Sequence, residues 1–257
     1  MNRKLIFIFL CLLSAYIIVG RVGYSYAASR VKWQTDYNKS VNLLKEKKYG
    51  SALKRAKKVL EENKNPFTYE LNANILQFMK QYKLSNRYYK KSIILVLKLK
   101  NLKNVGKFLT STKNGIALNY LLIGNNLLKK GKADSAIRFY KKGISFASEK
   151  QLSNFLMLNL AMSYENTKPA HLKKAIFYAD KALKNNPADS NAYFIKGRAE
   201  YSMNELNLSL HDLKTAYKFD HKNKMIKKAI YIVKKDIARN KNKTMMNIKQ
   251  NSENLFK

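Results

Sequence analysis

A helix-pair pattern recurs about every 34 residues along this chain, and few sequence features restrict an architecture so tightly. It is clearest as Tyr120, Gly124, Gly131, Ala136, Tyr140 and Gly143, and it returns as Tyr193, Gly197, Ser209, Leu213 and Ala216. Gly124 follows Tyr120 by one helical turn, as Gly197 follows Tyr193, so each pair shares a face and the missing side chain lets a second helix approach closely. Twelve residues after the glycine comes a small residue, and seven further on comes another, where the returning helix must fit its neighbours. One such hairpin cannot bury its apolar face alone. Stacked hairpins bury it together and present an extended surface instead of a pocket.

The order and spacing resemble the tetratricopeptide repeat, in which bulky, small and aromatic positions alternate and end near a proline. The same register fits residues 33–66 through Leu43, Tyr49, Ala52, Ala56, Val59 and Pro66. It fits 66–99 through Tyr69, Ala73, Leu76, Tyr82, Ser85, Tyr89 and Ser92. A further unit reads Leu160, Ala161, Tyr164, Ala175, Ala179, Ala182 and Pro187, its internal turn lengthened around Thr167, Lys168 and Pro169. The resemblance thus spans residues 33–221 and is strongest in the last three units. It implies an all-α fold, a right-handed superhelical solenoid of about five helix-turn-helix pairs plus a C-terminal capping helix. With three prolines and nine glycines in 257 residues, few breaks interrupt the helical pattern. The apolar run 93–97 reads as buried helix, continuing the second helix of its unit.

Domain boundaries follow from this register. Units one and two occupy residues 28–98 and units three to five occupy 115–221. Between them, 99–114 exceeds the repeat length and reads as a linker or an extra short helix. Residues 222–239, with Met225, Ile226, Ala229, Ile230, Val233 and Ile237 at helical spacing among lysines, read as the capping helix. The polar, Asn- and Lys-rich segment 240–257 reads as a disordered basic tail.

The first 27 residues differ in kind. Arg3 and Lys4 precede an uncharged apolar stretch, 5–19, and Ser25 and Ala27 supply small side chains before a cut after Ala27, the layout of an export signal. Uncleaved, residues 5–26 would instead anchor the chain in the inner membrane. Either reading places the protein in the cell envelope: exported, periplasmic or envelope-associated. The single cysteine, Cys11, lies in this stretch and lacks the small residue that precedes a lipoprotein cysteine. Cleavage would leave a chain without disulfides or thiol chemistry.

Net charge is +35, from 51 Lys and Arg against 16 Asp and Glu. Such a field attracts polyanions, so anionic membrane and envelope polymers count as partners. By the family geometry, second helices lie on the convex side and carry much of this charge, including Lys54, Arg55, Lys57, Lys58, Arg87, Lys90, Lys91, Arg138, Lys141, Lys142, Lys173, Lys174, Lys181 and Lys184. First helices line the concave groove. The positions carried over are Tyr37, Val41 and Leu44; Phe67, Asn74 and Phe78; Leu121, Asn125 and Leu128; Phe155, Leu158 and Met162; Phe194, Arg198 and Tyr201. An aromatic and aliphatic lining suits a helix or peptide of a protein partner. One subfamily grips acidic chaperone tails with two asparagines and three cations. Asn125 and Asn159 match the asparagines, but Leu121, Asn191 and Ile195 occupy the cation positions, so that clamp is incomplete.

No motif for catalysis, metal or cofactor emerges. His171, His211 and His221 lie far apart, and the chain has no nucleophile elbow or phosphate-cradling glycine loop. The expected function is a non-enzymatic protein-interaction scaffold that helps assemble an envelope complex, such as those of outer-membrane biogenesis, pili, secretion or flagella. The alternative is a polyanion- or nucleic-acid-binding protein that uses the basic convex face, where the 17 tyrosines would interleave with lysine.

Overall fold

The computed structural model describes residues 32–99 and 104–255, and among them every regular element is α-helical. Five antiparallel pairs follow one another: α1 (Lys32–Lys45) with α2 (Tyr49–Glu62), α3 (Pro66–Phe78) with α4 (Tyr82–Leu97), α5 (Val105–Lys129) with α6 (Ala133–Phe146), α7 (Lys150–Glu165) with α8 (Leu172–Asn185), and α9 (Ser190–Ser202) with α10 (Leu206–Phe219). α11 (Lys224–Leu255) closes the series. The export signal or anchor lies outside the described residues. Among those described, no helix is long and apolar enough to cross a membrane.

Four of the five pairs turn in the same way. Two residues past the first helix comes one with positive φ: Lys47 at 62°, Lys80 at 60°, Gly131 at 70° and Asn204 at 61°. The next amide then donates back five residues, Lys48 to Leu43, Gln81 to Leu76, Lys132 to Leu127 and Glu205 to Glu200, at 2.8–3.0 Å. This left-handed cap satisfies carbonyls that a helix end leaves without partners. The α7–α8 turn, lengthened through Thr167 and Pro169, departs from it. Side-chain caps mark three starts: Asn65 accepts from the amides of Phe67 and Thr68 ahead of Pro66, Asp189 accepts from that of Asn191, and Asn223 accepts from that of Met225.

Within each hairpin the small positions are where helices touch. Ala52, Ala56, Ala136, Ala175, Ala179, Ala182 and Ala216 are fully buried. A Cβ on Gly124 would overlap the Tyr140 ring, and one on Gly197 would come 2.7 Å from Leu213. Serine hydroxyls pin first helices to second helices: Ser40 donates to the Ala52 carbonyl at 2.8 Å, Ser85 to Ala73 at 2.8 Å and Ser209 to Gly197 at 2.7 Å.

The chain divides into two compact units, with the boundary between Gly115 and Ile116, inside α5. In the first unit, Leu44, Ala52, Ala56, Leu71 and Ile75 form a core cluster. Residues 105–115 join this unit, and here the structure corrects the expected linker at 99–114. Residues 105–114 are neither a linker nor a separate short helix; they extend the first helix of the third pair, so α5 is 25 residues long. The reason is burial at helical spacing, since Phe108, Thr112 and Ile116 form one buried stripe. Gly115 is a contact point where a Cβ would come 2.6 Å from the Tyr89 ring.

The second unit is centred on a cluster of Leu158, Ala161, Ala179, Ala182, Ala192 and Ile195. Ile226 and Val233 of α11 are buried, at 0% and 2% exposure. The disordered tail expected at 240–257 is also corrected over residues 240–255, because the helix runs on to Leu255. No proline or glycine interrupts Lys224–Leu255, so polarity alone provides no stop.

Candidate functional site

The first helices of the second unit bring together one set of the expected groove residues. Phe155, Asn159 and Met162 follow one another along α7, and Phe194, Arg198 and Tyr201 along α9. Each spacing is three or four residues, which places each trio along one helix face. Phe155, Met162 and Phe194 are half-buried, whereas Arg198 and Tyr201 are exposed. The Arg198 guanidinium lies 5.7 Å from the Phe194 ring centre. It also approaches the Glu165 carboxylate at the end of α7, at 3.7 Å. That oxygen of Glu165 is buried without a hydrogen-bond partner. Burial pushes the Glu165 carboxyl up to about 7, against the opposing pull of Arg198. Tyr201 donates to Asp236 of α11 at 2.6 Å, tying the capping helix to the same face.

Behind this face is a second polar cluster. Lys196 bridges Asp180 at 3.1 Å and Asp212 at 3.2 Å. Glu200, one turn further along α9, is pushed up to about 7 by burial and then by the Asp212 carboxylate. These groups hold α8, α9 and α10 together. Among the described residues no group of three His, Cys, Asp or Glu is placed to hold a metal ion.

Of the other expected residues Leu121 is buried, which corrects its assignment to the groove surface; Tyr37, Phe67, Asn74, Phe78 and Asn125 are half-buried, as Phe155 and Phe194 are, and also make contacts within the fold. Leu121 is 5% exposed and cannot meet a partner. Asn125 accepts from the Tyr140 hydroxyl at 2.7 Å. Asn74 accepts from Tyr89 at 2.5 Å in the same way. Each of these bonds crosses fifteen residues, from a second helix back to its first. Phe67 packs edge-on against Phe108 at 5.0 Å, and Phe78 stacks on Tyr49 at 5.7 Å. Tyr37 and Phe78 both lie against the core cluster of the first unit. Asn159 donates to the Phe155 carbonyl one turn back at 2.7 Å. The incomplete acidic-tail clamp stays incomplete, since Ile195 is 3% exposed.

Sequence reasoning missed Glu165 and Asp236, the two carboxylates that meet Arg198 and Tyr201. Glu165 closes α7 four residues after Ala161 of the repeat register, a signal within reach. Asp236 lies on the capping helix, beyond the repeat, where the register gave no coordinate.

No family model matches the chain. Protein PHOX3 of Arabidopsis thaliana is 28% identical over 115 residues, 44% of this chain and 14% of that protein. Among solved structures, the Hsp90 co-chaperone Cns1 of Saccharomyces cerevisiae superposes with a TM-score of 0.52 and 24% identity, over 55% of this chain and 45% of that one. The fold is the tetratricopeptide solenoid. YrrB, described as a tetratricopeptide protein with an unusual peptide-binding site, superposes with a TM-score of 0.49 and 15% identity over 77% of this chain and 90% of its own. The matches to PHOX3 and Cns1 cover less than half of either protein's length. Some outward residues of the first helices stay open to solvent in this fold. In the second unit they include Arg198 and Tyr201, beside half-buried Phe155, Met162 and Phe194.

Proposed function

We propose that this protein is a non-enzymatic interaction scaffold whose α7–α9 face holds a helix or extended segment of a partner protein. The observation that carries this reading is the exposed Arg198–Tyr201 pair beside half-buried aromatic and aliphatic side chains on adjacent first helices. Aromatic and arginine side chains of this kind supply most of the energy in protein interfaces. Arg198 faces a Glu165 carboxyl that burial holds up to about 7, so much of its charge is left for a carboxylate of the partner.

The test selects binding peptides from a displayed random library on the full chain and measures them against F194A/Y201A. Loss of both rings should weaken selected peptides at least ~10-fold with little change in salt dependence. Peptides that bind the double variant as well as the parent, and are released by salt alone, would refute the reading.

For location, the proposal is the cell envelope, where the scaffold would help assemble or stabilise a larger complex. Support comes from the basic, apolar and small-residue order of the first 27 residues. Alkaline phosphatase fused at Ser252 should be active in a bacterial host, and an inactive fusion in a stably expressed protein counts against export.

A further inference from the structure

The second helices of the second unit carry a feature that packing does not require. Lys141 of α6 and Lys174 of α8 both stand over the Tyr164 ring, at 5.8 and 5.6 Å. Tyr164 stacks on Tyr178 at 5.6 Å. Lys181 lies 5.7 Å from the Tyr178 ring and 4.6 Å from that of Phe177. A pair of stacked tyrosines thus draws three ammonium groups from two helices into one place. Phe177 stands in their midst and is 52% exposed.

Nearby acids do not neutralise the cluster. α8 has one acid, Asp180, and Lys196 of α9 takes it at 3.1 Å. On α6 the acid is Asp134, in the first turn and two turns from Lys141. Among the described residues, Lys141, Lys174 and Lys181 have no ion-pair partner, and Lys173 and Lys184 add further exposed charge on α8.

We infer that this α6–α8 patch docks on an anionic phospholipid surface, with the lysines among the headgroups and Phe177 entering the interfacial layer. Three observations favour a bilayer over other polyanions. The tyrosine faces that would stack on bases are taken, Tyr164 and Tyr178 by each other and by lysines. The converging cations are lysines, flexible point charges suited to a fluid array of headgroups, without the fixed fork that arginine offers a particular carboxylate. An exposed phenylalanine amid lysines gains nothing from a hydrated acidic polymer, yet gains from leaving water at a membrane interface.

The site lies on second helices and does not depend on the first-helix reading. The test measures cosedimentation of the full chain with vesicles of phosphatidylglycerol and phosphatidylcholine, with phosphatidylcholine vesicles as baseline. K141Q/K174Q/K181Q should lose about 100-fold in the anionic increment, as expected for three lysines near such a surface. K54Q/K57Q/K58Q removes equal charge from α2 and should cost less than ~3-fold, while F194A/Y201A should bind as the parent does. In W33F/F177W, the single tryptophan at 177 should shift its emission to the blue on anionic vesicles alone. Equal losses in the two lysine triples, or an unshifted tryptophan, overturn the proposal. So does a single-stranded oligonucleotide that binds more tightly than the vesicles and with the same dependence on the α6–α8 lysines.

Discussion

Glu70 is a carboxylic acid enclosed between α3 and α5, at 4% exposure, with the Thr112 hydroxyl 3.1 Å away. Burial pushes it up to about 7 from 4.5, and the Thr112 hydrogen bond only partly opposes this. Below pH 4.5 the group is protonated in both the folded and the unfolded chain, and it costs nothing. Between 4.5 and 7 the unfolded chain ionises first, so the folded state loses stability as pH rises, by about 3 kcal/mol in all. E70Q removes this titration. Urea denaturation near pH 4 and near pH 8 should show the acid-to-neutral loss of stability shrinking by about 2–3 kcal/mol in the variant, and an unchanged loss would mean the native carboxyl ionises normally. Gly124 and Tyr140 make a second residue-level case, because a side chain at 124 would overlap that ring. G124A should cost about 2 kcal/mol or more by overpacking, whereas Y140F should cost about 1 kcal/mol, the hydrogen bond to Asn125. Thermal melts of the two variants would rank them, and the reverse order would contradict this packing.

Among the helices and turns, the recurring left-handed residue is the most informative. Lys47 and Lys80 adopt positive φ, a conformation that glycine reaches without steric cost and that Gly131 supplies in the third pair. K47G and K80G should therefore each stabilise by about 0.5–1 kcal/mol despite the greater flexibility of the unfolded chain, read as a higher urea midpoint with unchanged slope. A lower midpoint would show that the lysine side chains contribute more than the strain removes. These turns also show what the sequence made legible. The hairpin register was plain at Ala136, Gly143, Ala179 and Ala216, because a position buried between two helices admits little else. The left-handed site was hidden, since lysine and asparagine occupy it in three of the four pairs. The candidate site was only half legible for a related reason. Register places Asn74 and Asn125 where a ligand would lie, but only the folded hairpin shows tyrosines fifteen residues on already donating to them. Residues 105–114 exceed the repeat length and 240–255 are polar, which hides the helix in both, although Phe108 and Thr112 supply one helix with a buried stripe and no proline or glycine stops the other.

At the scale of the whole molecule, charge dominates. With 51 cationic side chains against 16 anionic ones, most lysines have no acid to face, and the acids at Asp36, Asp180, Asp212 and Glu165 are already engaged by Arg55, Lys196 and Arg198. Self-repulsion of this size works against the compact state and is screened beyond about 10 Å at 0.1 M salt. Sodium chloride raised from low to moderate concentration should therefore raise the melting temperature, by on the order of 5 °C, and a fall would place the net effect in the ion pairs instead. The serine pins have a different consequence, one for synthesis. Ser40, Ser85 and Ser209 each bond to a carbonyl twelve residues away, so a hairpin carries the means of fixing its own register within a short stretch of chain. Closing so short a loop costs little entropy, and contacts this local form early. A ribosome releasing the chain from its N-terminus would thus hand over hairpins in order, each able to settle before the next has emerged.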